Sequence, residues 1–327
     1  MALTTIRSSS EAAVQGSVAA ALSGRRTDLR GRVFEMALLA SLLICLVLLG
    51  ALVASVLADG MGTYADRGWS FLDGGLSSRP ARAGISQGLI GSMWIAVSVV
   101  VLAFPIGIGA AIYLEEYAPR NRLTSFIELN IRNLAGVPSV VYGLLGLAIF
   151  VETFSGFSAN DGVERRTMAA AGVTLAVLAL PIIIITTAEA LRAVPSSLRE
   201  GAFGAGATRW EVIRTVVLPY AAPGIFTGAL LSIARAVGEA APLIVVGAFT
   251  LSSRGVGLSL TNIFDPSALT ERFTAMPATI TQWAKRPQDE FNTDLTAAAI
   301  IAMLVFVLLI NSIAIILRNR FEKKRTV

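Results

Sequence analysis

Apolar runs alternate with short polar stretches along almost the whole chain. The runs fall at about 34–58, 86–113, 133–153, 168–190, 222–249 and 294–317. Each has about 20 residues or more, enough to cross a hydrocarbon core of roughly 30 Å as a helix. The pattern predicts an all-α polytopic membrane protein with six transmembrane helices. A cytosolic N-terminal tail is expected over 1–33, the first span over 34–58, a five-span core over 85–318 and a C-terminal tail over 319–327. Residues 11–23 are Ala-rich but weakly apolar, and their Arg cluster follows instead of preceding them, so no secretory signal is expected there.

The spans carry breakers. Pro105, Pro138, Pro181 and Pro242 lie in or near them, with Gly107, Gly109, Gly136, Gly143 and Gly146. Such residues are tolerated in a bilayer where neighbours or a cavity satisfy the freed backbone, and small residues also allow close helix packing. Composition leaves plain packing and a rocking bundle around a pathway both open. In the long segment 250–293, Phe273, Met276, Ile280 and Trp283 recur at spacings of three and four. That period predicts a short amphipathic helix lying on the membrane surface or under a partner, with Pro277 in its first turn.

Basic residues set the orientation. With the N-terminus inside, the inside segments hold seventeen Lys and Arg and the outside segments nine. The excess predicts both termini in the cytoplasm. It also puts residues 191–219 inside.

Residues 200–219 form a polar stretch between two apolar runs. Gly204 and Gly206 interrupt a run of helix formers, and glycine permits the backbone angles of a tight turn. Thr208 and Glu211 have capping-box spacing, so a second helix is expected to start there. Pro219 is expected to close that helix and let the next begin. The stretch resembles the "EAA" signature of ABC-importer permeases: an acid and two small residues, Gly six positions after the acid, then a branched apolar residue before Leu-Pro. The matching positions are Glu200, Gly201, Ala202, Gly206, Val216, Leu218 and Pro219. Gly201 stands where that family usually has Ala. The resemblance implies a helix–turn–helix over 192–219 that sits in a groove of a separate ATP-hydrolysing subunit, with Glu200, Gly201, Ala202, Gly206, Arg209, Leu218 and Pro219 as coupling residues.

Inside the fifth run stands Arg235, about twelve residues from its start and near mid-membrane, with Glu239 four positions on. A central Arg costs roughly 2.5–3.5 kcal/mol on insertion scales, and charges within spans usually face an interior or a water-filled path. At that spacing both side chains project from one helix face. Arg-then-Glu is the weaker order for helix stability. One reading is a self-neutralising structural pair. The other is an anion site, because guanidinium donors match oxyanions bidentately. A carboxylate beside that site suits an anion that still carries a proton, as hydrogen phosphate does and sulfate does not.

Composition narrows the chemistry. The chain has no His and one Cys, Cys45, in the first run. An intrachain disulfide, a His/Cys metal site and a His-based triad are all excluded. An intramembrane enzyme would have to rely on carboxylates such as Glu239, with no second one in that span. Gly107-Ile108-Gly109 lies within a span and is no dinucleotide loop, and no Gly-x-x-x-x-Gly-Lys-Ser/Thr occurs. The pI near 9.8 reflects basic residues at span ends, not a nucleic-acid surface.

The segment Ala234–Pro242, the stretch at 200–219 and the region from Met276-Pro277-Ala278-Thr279-Ile280 to Asn311 together resemble the PstA family of membrane subunits of bacterial phosphate ABC importers. The likeness spans about 85–318. It implies a type I importer fold, a non-catalytic role, and a path for phosphate that involves Arg235 and Glu239. It also implies a PstC-like permease partner, a dimer of a PstB-like ATPase that uses ATP and Mg, and a PstS-like extracytoplasmic phosphate-binding protein. The chain itself would carry no cofactor. Relatives often have an Arg where this chain has Ile185. A permease for another oxyanion or small polar solute, or a channel or scaffold without an ATPase, are the alternatives; co-purification with an ATP-binding subunit separates the last from the rest.

Overall fold

The computed structural model describes residues 29–153, 167–248, 269 and 273–323. Among them all regular structure is helical. Five helices are long and apolar enough to cross a membrane, or six if one sharply bent pair counts as a single span. Of the expected tail over 1–33, residues 1–28 lie outside the described residues and 29–33 are already helical; of the expected tail over 319–327, residues 319–323 continue a helix and the rest lie outside, as does most of the segment 249–272.

The chain divides into two units, 1–55 and 56–327, with the boundary inside helix α1 (Leu29–Arg67). In the first unit the described part of α1 exposes Leu38, Leu39, Leu43, Ile44, Leu46, Val47 and Leu48, which together go round the helix. A helix apolar on all sides is suited to a membrane.

The second unit starts with the rest of α1 and the short α2 (Trp69–Asp73). Then come α3 (Ser86–Ile112), lengthened by a π turn at Tyr113–Tyr117, α4 (Arg122–Ala135), and α5 (Ser139–Leu145), lengthened by a π turn at Gly146–Val151. Next are α6 (Met168–Arg192), α7 (Ser196–Gly204), and α8 (Arg209–Val212), which passes through a π turn at Ile213–Val217 into α9 (Leu218–Gly238). Last come α10 (Ala241–Val246), α11 (Met276–Trp283), and a π turn at Glu290–Leu295 leading into α12 (Thr296–Lys323).

Helix α6 is the hub. It packs along α3 and α9 and is touched by α4, α5 and α10. Leu175, Ala179 and Ile183 of α6 share one buried cluster with Ile95, Val99 and Ala103 of α3 and with Ile233, Ala236 and Val237 of α9. Each helix contributes one small residue to this set, Ala103, Ala179 and Ala236, which lets backbones approach where lipid supplies no hydrophobic drive.

Four expectations change. The third run is not one straight span: α4 and α5 meet at 102°. Gly136-Val137-Pro138 separates them, and α4 carries its apolar side chains on one face with none buried. The residue before a proline is pushed out of helical geometry, which breaks the run. The fifth run starts earlier than 222, at Arg209, and breaks at Glu239, whose backbone is extended (φ −78°, ψ 114°).

Pro219 does not close a helix. The chain stays helical from Arg209 to Gly238 because the π turn at 213–217 already widens the ladder ahead of the proline. Finally, the α11 stripe faces the protein body itself. Met276 and Trp283 are buried in one cluster with Phe71, Ile85 and Phe291, Phe273 is buried in the cluster that holds Ile90 and Ile95, and Ile280 is partly buried. The Met276 N–H donates to Ser92 Oγ at 2.9 Å. Pro277 does take the first turn, as its spacing predicts.

Candidate functional site

Two places gather the residues that the sequence singled out. The first is the polar stretch between α6 and α9. Pro195 leads into α7, and α7 ends before Gly206, whose φ of +86° is in the left-handed region. Only glycine holds that angle without strain. Thr208 then opens α8 through a full capping box: Glu211 N–H donates to Thr208 Oγ1 at 3.4 Å, and Thr208 N–H donates to Glu211 Oε2 at 2.7 Å. The result is the helix–turn–helix expected from local rules. Glu200, Gly201, Gly206 and Arg209 are exposed, Ala202 and Leu218 are half-buried, and Pro219 lines an apolar groove between α9 and α3. No residue of α7 is buried, and Leu198, Phe203 and Trp210 present apolar surface in an otherwise polar segment.

The structure adds residues that the sequence reading missed. Glu115, Glu116 and Tyr117 are consecutive at the end of α3, and each meets an arginine on a different element. Arg192, the last residue of α6, pairs with Glu115 at 2.5 Å and with Glu128 of α4 at 3.6 Å. Arg199 of α7 donates to Glu116 Oε1 at 2.5 Å and to the Leu191 carbonyl at 2.7 Å. Arg209 of α8 stacks 5.1 Å from the centre of the Tyr117 ring. A signal existed: two adjacent carboxylates stand at a span end where basic residues otherwise gather.

The second place is the break in the fifth run. Arg235 lies in the last turn of α9, and Glu239 is the residue at which that helix stops. Arg235 Nε and Glu239 Oε1 are 3.7 Å apart, so the pair forms although the helix does not continue past Glu239. The Arg235 side chain is 57% exposed and the Glu239 side chain 23%. The guanidinium is therefore not consumed by the carboxylate. Short α10 follows, with Pro242 near its start, and packs on α5. Gly143 of α5 makes this possible: a Cβ there would stand 2.6 Å from Pro242 Cα. Ile185 borders a small cavity near Glu115, Glu189 and Arg192, away from Arg235 in sequence and lining. Among the described residues no group of three or more carboxylates or thiols is arranged to hold a metal ion.

Residues 103–327 match the family described as the binding-protein-dependent transport system inner membrane component. The chain belongs to that family. The permease is 35% identical to the phosphate transport system permease protein PstA of Yersinia pestis, over 75% of each chain. It is 30% identical to the phosphate transport system permease protein PstC of Mesorhizobium japonicum, over 94% of this chain and 93% of that one. Among solved structures, the permease superimposes on the MetNI methionine ABC transporter in an inward-facing conformation. The TM-score is 0.56 at 18% identity, covering 72% of this chain and 95% of the other. That likeness establishes the type I importer fold and nothing about cargo.

Proposed function

We propose that this permease is a PstA-like subunit that moves inorganic phosphate into the cytoplasm. The observation that carries the reading is Arg235. It is a guanidinium inside an apolar run, at a helix break, half free of its Glu239 neighbour and exposed on the single chain. Charges so placed serve a pathway or a partner, and a guanidinium fork fits tetrahedral oxyanions. Glu239 favours an anion that can donate a proton. The 35% identity to a phosphate permease supports the cargo.

The remaining parts follow from the segment over 192–219. Leu198, Phe203 and Trp210 offer an apolar face to a PstB-like ATPase dimer, and Glu200, Gly201, Ala202, Gly206, Arg209, Leu218 and Pro219 shape it. ATP and Mg bind that other subunit, and the permease itself is non-catalytic. A PstC-like permease completes the path, a PstS-like protein delivers phosphate from outside, and both termini are cytoplasmic.

The test is uptake of labelled phosphate into vesicles holding this chain with its partner permease, ATPase and binding protein. Uptake should need ATP and resist competition by excess sulfate. Equal competition by sulfate would turn the reading toward a general oxyanion importer. Uptake without ATP would turn it toward a channel.

A further inference from the structure

We infer that Glu115-Glu116-Tyr117 is the clamp through which movement of the coupling segment reaches the membrane helices; this rests on the ATPase-docking reading given above. Three consecutive residues at the end of α3 hold Arg192 of α6, Arg199 of α7 and Arg209 of α8. In a regular α-helix consecutive side chains point about 100° apart. Here the last turn is a π turn, Tyr113–Tyr117, and its three residues reach three different elements. Turns of this kind recur at functional sites.

The strongest link is Arg199. No residue of α7 is buried, so little hydrophobic contact ties that helix to the body. Arg199 instead bonds α3 through Glu116 and α6 through the Leu191 carbonyl. Glu116 is buried to 8% exposure, so the pair is screened far less than a surface ion pair. Arg192 continues the network from Glu115 to Glu128 on α4. A push on α7 or α8 therefore acts on α3 through charge-assisted bonds, and α3 lies along α6, the hub of the bundle. Glu115, Glu116 and Tyr117 are positioning residues. Coupling energy travels through packed elements and bonded networks of this sort.

The experiment uses the complete transporter in vesicles and reads phosphate imported per ATP hydrolysed, normalised to assembled complex. Glu116→Gln and Arg199→Gln should each lower that ratio by about fivefold or more, and the charge swap Glu116→Arg with Arg199→Glu should recover much of it. A purely structural pair would change the amount of complex and leave the ratio alone, and that result overturns the clamp. Should the buried variants fail to assemble, Tyr117→Leu decides, because Tyr117 is 39% exposed and its ring is the surface that Arg209 stacks on. An unchanged ratio in that variant also overturns the clamp. If the unaltered complex imports nothing on ATP, the proposed function itself fails; if it imports and the variants keep its ratio, only the clamp fails.

Discussion

Gly143 and Pro242 meet without room for a side chain between them. A Cβ on Gly143 would stand 2.6 Å from Pro242 Cα, 3.1 Å from its carbonyl oxygen and 3.1 Å from Val245 Cβ. Two broken spans thus lock together: α5, which follows the 102° bend, and α10, which follows the break at Glu239. The contact fixes α10, the element that follows Arg235 and Glu239 across that break.

Gly143→Ala should already be harmful. Its new methyl group meets backbone, which cannot rotate away as a side chain end can. Overpacking of this kind costs about 1–3 kcal/mol. Recovery of assembled complex in detergent should fall, and Gly143→Val should be worse. Normal recovery of the valine variant would contradict the close approach.

Gly206 makes a different kind of demand. A Cβ there would touch nothing within 4 Å, so no clash is at issue. The constraint is φ +86° alone. Left-handed backbone costs an L-residue roughly 1–2 kcal/mol, and Asn tolerates it better than others. ATP-driven uptake should therefore fall in the order Gly, Asn, Ala, Val. Were a large residue the whole difficulty, Asn would be no better than Val.

These positions show what could be read in advance and what could not. Gly206 and the Thr208–Glu211 box obey rules spanning a few residues, so the sequence states them openly. The Phe273, Met276 and Trp283 stripe also announced a helix, which starts at Met276, but a stripe names a face and not what covers it; here the body does. Pro219 misled because its effect depends on a π turn upstream. Glu116 and Arg199 are 83 positions apart, and only the packing of α3 against α6 brings them together. Arg235 and Glu239 were legible as a pair, but the break between α9 and α10 was not.

The cap at Thr208 gives a stability readout. Thr208→Ala removes the hydroxyl that donates to Glu211 Oε2 and accepts from the Glu211 N–H. Loss of such a cap costs about 1 kcal/mol. Amide exchange over 209–212 should quicken by about fivefold, and Thr208→Ser should restore protection. No change in exchange would mean that packing, not the cap, holds α8.

Topology can be read with single cysteines once Cys45 is replaced by Ala. Ala205 lies in the turn after α7, and Gln288 lies in the exposed turn before α12. The basic-residue excess predicts that Ala205→Cys reacts with an impermeant thiol reagent only from the cytoplasm. Gln288→Cys should react only from outside. Reaction of both from the same side would refute the six-span arrangement.

Arg235 and Glu239 allow the sharpest test. Suppose the pair is structural only. Removing Arg235 then leaves Glu239 without its partner, which destabilises, and removing both should largely restore assembly and uptake. Suppose instead that Arg235 meets the anion, as its 57% exposure and long 3.7 Å separation from Glu239 favour. Arg235→Gln should then abolish uptake in an assembled complex, and adding Glu239→Gln should not rescue it. Arg235→Lys keeps the charge but loses the planar fork, so it should transport poorly while the neutral variants do worse. Uptake is measured in vesicles and normalised to assembled complex. Normal uptake by the double variant would leave the pair a structural brace, and the anion path would have to lie elsewhere.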